Sequence, residues 1–172
     1  MRPILFVFSG LPASGKSTLA QRIASKFVAV YLRIDTIEQG LRDLCNIDVE
    51  GEGYRMAYRI ASDNLKLGLN VIADCCNPIA LTRNEWKHIA QNTNSFLINI
   101  EVVCSDKEEH QKRVFNRISE IENLKLPNWE SILEYHYENW TGNRIQIDTS
   151  HKTIEDCVSE LFSKIELILE NN

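Results

Sequence analysis

The chain has 172 residues and a mass of 19.8 kDa, the size of one domain that buries about 70% of its unfolded surface. Hydrophobic residues make up 44% and charged residues 25%, which excludes a disordered, collagenous or disulfide-knotted chain. The net charge of −5 is uneven, with 11 basic and 9 acidic side chains in residues 1–98 against 8 and 15 in residues 99–172; no basic cluster favours tight nonspecific binding to duplex nucleic acid.

Met1 and Arg2 lead straight into Ile4–Ser9, an apolar run that ends at Gly10 and reads as a buried strand. No cleavage pattern follows, and no apolar run is long enough to span a bilayer, so a cytoplasmic protein without a membrane segment is expected. After the loop 10–15, Lys16–Phe27 has helical spacing (Leu19, Ala20, Ile23, Ala24, Phe27). Residues 28–32 are β-rich, 35–44 predict a short helix, and 52–67 predict a longer one closed by Gly68. Residues 69–73 predict the next strand, and Asn77-Pro78 the start of a helix. Phe96–Val103 reads as a fourth strand, 106–121 and 129–140 as polar helices, Ile145–Asp148 as a fifth strand, and 153–169 as an amphipathic closing helix. Strand–helix alternation of this kind predicts an α/β fold with a mainly parallel sheet covered on both faces.

Five cysteines (Cys45, Cys75, Cys76, Cys104, Cys157) form no CxxC pair, and an odd count argues for reduced thiols without a metal or redox role. His88, His110, His136 and His151 lack metal-ligand spacing and are expected at the surface. Trp86, Trp129, Trp140, Tyr135 and Tyr137 read as helix-packing anchors or lid contacts, with a base-stacking site as the alternative.

Gly10-Leu-Pro-Ala-Ser-Gly15-Lys16-Ser17 matches GxxxxGK[ST] and lies between a strand and a helix, as the phosphate-binding loop requires. Glycines let backbone N–H groups of Gly10, Ala13, Ser14 and Gly15 converge on phosphate oxygens, and the following helix adds the partial positive charge of its N-terminus. Lys16 reaches the β- and γ-phosphates, Ser17 offers its hydroxyl to Mg²⁺, and Thr18 lies near the α-phosphate. No NKxD pattern points to GTP, so ATP is expected. Asp35 follows the second strand, where a carboxylate can accept the proton of an attacking hydroxyl; the same residue before Thr36-Ile37-Glu38 also reads as a helix N-cap. Asp74 ends the third strand, where a carboxylate holds Mg²⁺ beside Ser17, or closes an Asx turn.

Over nearly its whole length the chain resembles the small single-domain P-loop kinases, the predicted-kinase relatives of chloramphenicol phosphotransferase, zeta toxin and polynucleotide 5′-hydroxyl kinases. The resemblance is carried by GLPASGKSTLA (10–20), LRIDTIEQGL (32–41), VIADCCNP with RNEW (71–86), the run 113–140 and IQIDTS (145–150). It implies a three-layer fold with a five-stranded sheet ordered 2-3-1-4-5, residues 1–172 as one domain, and a helical lid at about 106–140. It also implies that Asp35 acts as the base, that Asp74 contacts either the metal or the acceptor, that Arg117 and Arg113 neutralise charge on the triphosphate from the lid, and that Thr149, with Ser150, lies by the adenine. Asn77, Arg83 and Arg144 are further candidates; exposed ion pairs of Arg113 and Arg117 with Glu109 or Glu120 are the plainer alternative. The expected activity is ATP- and Mg²⁺-dependent transfer of the γ-phosphoryl group to a hydroxyl of a small molecule. A polynucleotide 5′-hydroxyl kinase and a non-catalytic ATP-binding switch are the alternatives. Glu38 stands where polynucleotide kinases carry an arginine, which with the acidic charge disfavours nucleic acid.

Overall fold

A computed structural model describes residues 2–171. Five strands, β1 (Ile4–Ser9), β2 (Val30–Arg33), β3 (Val71–Asp74), β4 (Phe96–Val103) and β5 (Ile145–Asp148), form one sheet in the order β2-β3-β1-β4-β5. Every pairing is parallel, so each connection must cross back over a face of the sheet. The helices α1 (Lys16–Phe27), α2 (Ile34–Cys45), α3 (Glu52–Lys66), α4 (Ala80–Asn92), α5 (Lys107–Asn116) and α6 (Trp129–Leu133) lie in those crossings, and α7 (Ile154–Glu170) follows β5.

Strand alternation sorts β1 into two cores. Phe6 and Phe8 face α1 and α7, where Leu19, Ile23, Leu161 and Ile165 cover them. Leu5 and Val7 face α3 and α4, against Ala57, Leu65 and Trp86. Each large apolar side chain so buried stabilises the fold by roughly 1.5–3 kcal/mol. Both cores end at the C-terminal edge of the sheet, where the β1–α1 loop, Asp35 and Asp74 gather. No helix among the described residues is long and apolar enough to cross a membrane.

Several boundaries differ from the sequence reading for identifiable reasons. Val28 takes a left-handed conformation (φ 48°) and caps α1 through its N–H to Ala24 O, so β2 begins at Val30 rather than residue 28. Gly68 does close α3: its N–H donates to Leu65 O and the Leu69 N–H to Asn64 O, the paired bonds of a left-handed C-terminal cap. Asn70 then braces the next strand, accepting from Ile4 N and donating to Phe27 O, and β3 starts at Val71. Helix α2 begins at Ile34, with Arg33 as its N-cap. Asp35 is therefore inside the first turn and is not the cap.

Pro78 does not open α4, which starts at Ala80; the Pro78 carbonyl instead accepts from Glu138 N and Arg83 Nη2, both at 2.9 Å. The two polar helices are shorter than the spacing predicts. Helix α5 stops at Asn116, because Arg117 turns extended (ψ 129°) and Ile118 is left 88% exposed, with no burial to favour another turn. Arg113 and Arg117 thus do not share a helix face. Helix α6 stops at Leu133, where the chain leaves the helix to pack Tyr137 and Trp140 against Arg83.

Candidate active site

The β1–α1 loop is held open from three sides. The Gly10 N–H donates to Cys76 O at 3.1 Å, and a Cβ at Gly10 would lie 2.2 Å from Val102 O, so only glycine fits. Ala13 (φ 62°) and Gly15 (φ 96°) take left-handed conformations, which turn successive backbone N–H groups inward. Thr149 Oγ1 bonds to Ser14 O at 2.9 Å. On the other flank His110 Nε2 lies 2.8 Å from Pro12 O; a carbonyl only accepts, so this nitrogen carries the proton. His110 is buried and edge-on to Trp129, a correction to its expected surface position, because the loop needs a donor there.

Gly15 caps α1 without a side-chain bond, and the first turn holds no acidic residue, so its free N–H groups leave an uncompensated positive end. Lys16 is buried, at 5% exposure. Burial alone would lower its pKa, but Cys76, Asp74 and Asp35 together hold it above its ordinary value. Burial raises the Cys76 thiol foremost, so at neutral pH the two carboxylates supply the negative charge that keeps Lys16 protonated.

Asp74 is 2% exposed. Its Oδ2 accepts from Tyr31 OH at 2.6 Å, whereas its Oδ1 is buried without a partner. Tyr31 and Arg33 alternate along β2 on the same face as Asp74, the register partner of Arg33. Neither was singled out by motif, though their period of two beside an expected metal carboxylate was a usable signal.

Two cavities meet at this loop. The first, about 410 Å³, is bordered by Gly15, Ser17, Thr18, Arg33, Arg113 and Glu120 among others. The second, about 510 Å³, is bordered by Asp35, Glu38, Arg42, Cys76, Lys125 and Tyr135 among others. Lys16 and Arg117 border both. A smaller space of about 280 Å³ continues from the first cavity past Arg113 to Thr149, Lys152 and Ile154.

The remaining candidates are already engaged. Arg113 donates to Thr149 Oγ1 at 2.7 Å, to Thr149 O at 2.9 Å and to Glu109 Oε1 at 2.6 Å, which ties α5 to the end of β5. Glu120 pairs with Arg33, not with Arg117. Asn77 is fully buried; its side-chain amide donates to Ser9 Oγ at 3.0 Å and its backbone N–H donates to Tyr54 OH at 2.8 Å. Arg83 spends its nitrogens on the carbonyls of Asn77, Pro78, Glu138 and Asn139, so it staples the β3–α4 loop to the 138–139 segment. Arg144 pairs with buried Glu101, and Ser150 Oγ accepts from Asp106 N; neither borders the first two cavities. The closing helix is capped by Thr153 in a reciprocal box with Asp156. Among the described residues no group of three or more His, Cys, Asp or Glu side chains is placed to hold a metal.

A family model described as an AAA domain matches residues 5–138. The probable adenylyl-sulfate kinase of Aeropyrum pernix is 26% identical, covering 97% of this chain and 94% of that protein. An adenylyl-sulfate kinase of Prochlorococcus marinus is 28% identical over 95% of this chain and 84% of its own length. A gluconokinase from Sinorhizobium meliloti shares the fold with a TM-score of 0.70 at 17% identity, covering 99% of this chain and 95% of that one.

Proposed function

The chain belongs to the AAA domain family and is a P-loop phosphotransferase, and on that premise we propose that it moves the γ-phosphoryl group of ATP, with Mg²⁺ bound, to a hydroxyl of a small molecule seated in the second cavity. The observation that carries this reading is that Lys16 and Arg117 border both cavities. A group handed from one space to the other passes between these two cations, where negative charge on the transferring phosphoryl is best stabilised.

In this reading the loop amides of Gly10, Ala13, Ser14 and Gly15 and the α1 N-terminus hold the phosphates, and Thr18 lies by the α-phosphate. Lys16 stays charged because Asp35 and Asp74 raise its pKa. Arg113, locked by Glu109, presents Thr149 as the wall of the adenine slot. Asp35 borders the second cavity beside Lys16, where it accepts or orients the acceptor hydroxyl proton. Arg117 comes from a lid, the 106–140 segment of a single 1–172 domain.

The unpartnered, buried Oδ1 of Asp74 and the Ser17 hydroxyl suit Mg²⁺, which takes one or two protein oxygens and completes its shell with phosphate and water. When bound, Mg²⁺ neutralises phosphate charge and fixes its geometry. Tyr31 holds Asp74 by its other oxygen and so leaves Oδ1 without a protein donor.

The test is ADP release from Mg·ATP over a panel of hydroxyl compounds: sugars, sugar acids including gluconate, nucleosides, adenylyl sulfate, and an oligonucleotide with a free 5′-OH. At least one small compound is expected to raise ADP release tenfold or more over water. Stimulation by the oligonucleotide alone, or by nothing in a panel of this breadth, contradicts the proposal.

A further inference from the structure

Arg33 was not among the candidate site residues, yet its side chain is 13% exposed and borders the first cavity. It ends β2, so with Tyr31 it leaves the sheet on the side of α1 and Asp74. Its donors are not used up. Nη1 donates to Glu120 Oε2 at 3.1 Å. The Nε stands 4.0 Å from Asp74 Oδ2, beyond a hydrogen bond, and is buried without a partner. A guanidinium cannot shed its proton to relieve this.

Its anionic partner is a makeshift one. Glu120 is carried by the irregular segment after α5, its side chain 71% exposed, and meets Arg33 from the rim of the same cavity. A pair with one so exposed member holds weakly, and the displaced carboxylate returns to water at little cost. A polyphosphate brings oxygens that match the guanidinium fork, and its charge excludes Glu120 from the same place.

We propose that Arg33 is a phosphate-binding residue of this site, and that Glu120 occupies its guanidinium until a nucleotide polyphosphate displaces it. The inference rests on the reading of the first cavity as the nucleotide site. Phosphate is then met by one arginine fixed on the sheet, Arg33, and one on the segment after α5, Arg117. The negative charge of Asp74 behind Arg33 keeps the guanidinium at the cavity wall, and departure of Glu120 leaves Nη1 to the ligand.

The experiment is calorimetric titration of Mg·ATP into the unmodified protein, Arg33→Gln, Glu120→Gln and the double variant. Arg33→Gln is expected to weaken ATP binding roughly tenfold or more, as loss of a charge-assisted contact does. Glu120→Gln is expected to tighten it about two- to fivefold, the reverse sign, by removing the competitor. The double variant should match Arg33→Gln alone. A purely structural pair would instead move both single variants in the same direction. Glu120→Gln that leaves ATP affinity unchanged or weaker overturns the inference, and this exposed substitution serves even where Arg33→Gln fails to fold. If the unmodified protein binds no ATP, the nucleotide reading itself fails; if it binds ATP and Glu120→Gln is silent, only the role of Arg33 does.

Discussion

Gly53 on α3 lies so close to Glu38 on α2 that a Cβ on the glycine would stand 2.2 Å from Glu38 Cγ. The missing side chain lets the two helices converge and gives Glu38 its place on the wall of the second cavity. There Arg42 lies 3.5 Å from its carboxylate. Burial is the main influence on that carboxyl and raises its pKa, with Arg42 opposing.

Gly53→Ala therefore tests the cavity wall. Alanine favours a helix over glycine by roughly 1 kcal/mol, which offsets the cost of turning Glu38 aside. The melting temperature should change by only a few degrees, while acceptor-dependent ADP release falls and ATP affinity holds. Both are read by a thermal melt and a kinetic assay on the same preparation.

Gly10→Ala strikes the loop. The new Cβ meets a backbone carbonyl, Val102 O, and the φ of 138° is hostile to any L side chain. A loss of about 2 kcal/mol or more is expected in urea unfolding, together with loss of nucleotide binding. Gly15→Ala meets only the Thr149 methyl, at 3.4 Å, and should destabilise less, by about 1 kcal/mol from its φ alone.

Arg117→Ala should separate chemistry from binding. Its side chain borders both cavities, and among the described residues no hydrogen bond fastens its guanidinium to the fold. Turnover with a working acceptor should fall by roughly 10³, while the ATP dissociation constant shifts by less than about tenfold. An equal fall in both quantities would mark Arg117 as a binding residue only.

Asp148 gives the fold an acid-side limit. Burial pushes its carboxyl up, but hydrogen bonds from Ser105 and Ser150 outweigh that and hold it at about 2; the backbone N–H groups donate at 3.1 Å and 3.0 Å. The unfolded value is about 3.9. The unfolded chain thus binds the extra proton first, and stability drops as pH falls from about 4 to about 2. Asp148→Asn should flatten that part of a pH series of chemical melts.

The fold was legible because β1 is apolar from Ile4 to Phe8 and the glycine-lysine loop follows it at once, which orders the strand, loop and helix without reference to anything distant. The position of the two aspartates at the C-terminal edge of the sheet was legible in the same way, Asp74 closing the run VIA and Asp35 following β2 by two residues. What stayed hidden depends on partners far along the chain. Nothing near His110 in sequence says that it supports Pro12, 98 residues away. Arg83 stood only as a further candidate because the carbonyls it binds at 138 and 139 lie more than fifty residues along the chain. The ends of α5 and α6 were misjudged because charged residues extend a helix pattern without an apolar stripe to stop it, while packing of Tyr137 and Trp140 decides where the chain turns.

The central claim, that the glycine-lysine loop receives a nucleotide triphosphate, is tested most directly by titrating Mg·ATP into the unmodified protein and Lys16→Ala under one set of conditions. Saturable one-to-one binding that Lys16→Ala weakens by about a hundredfold or more, with the variant still folded, is the predicted result. Equal affinity in the two proteins would contradict it.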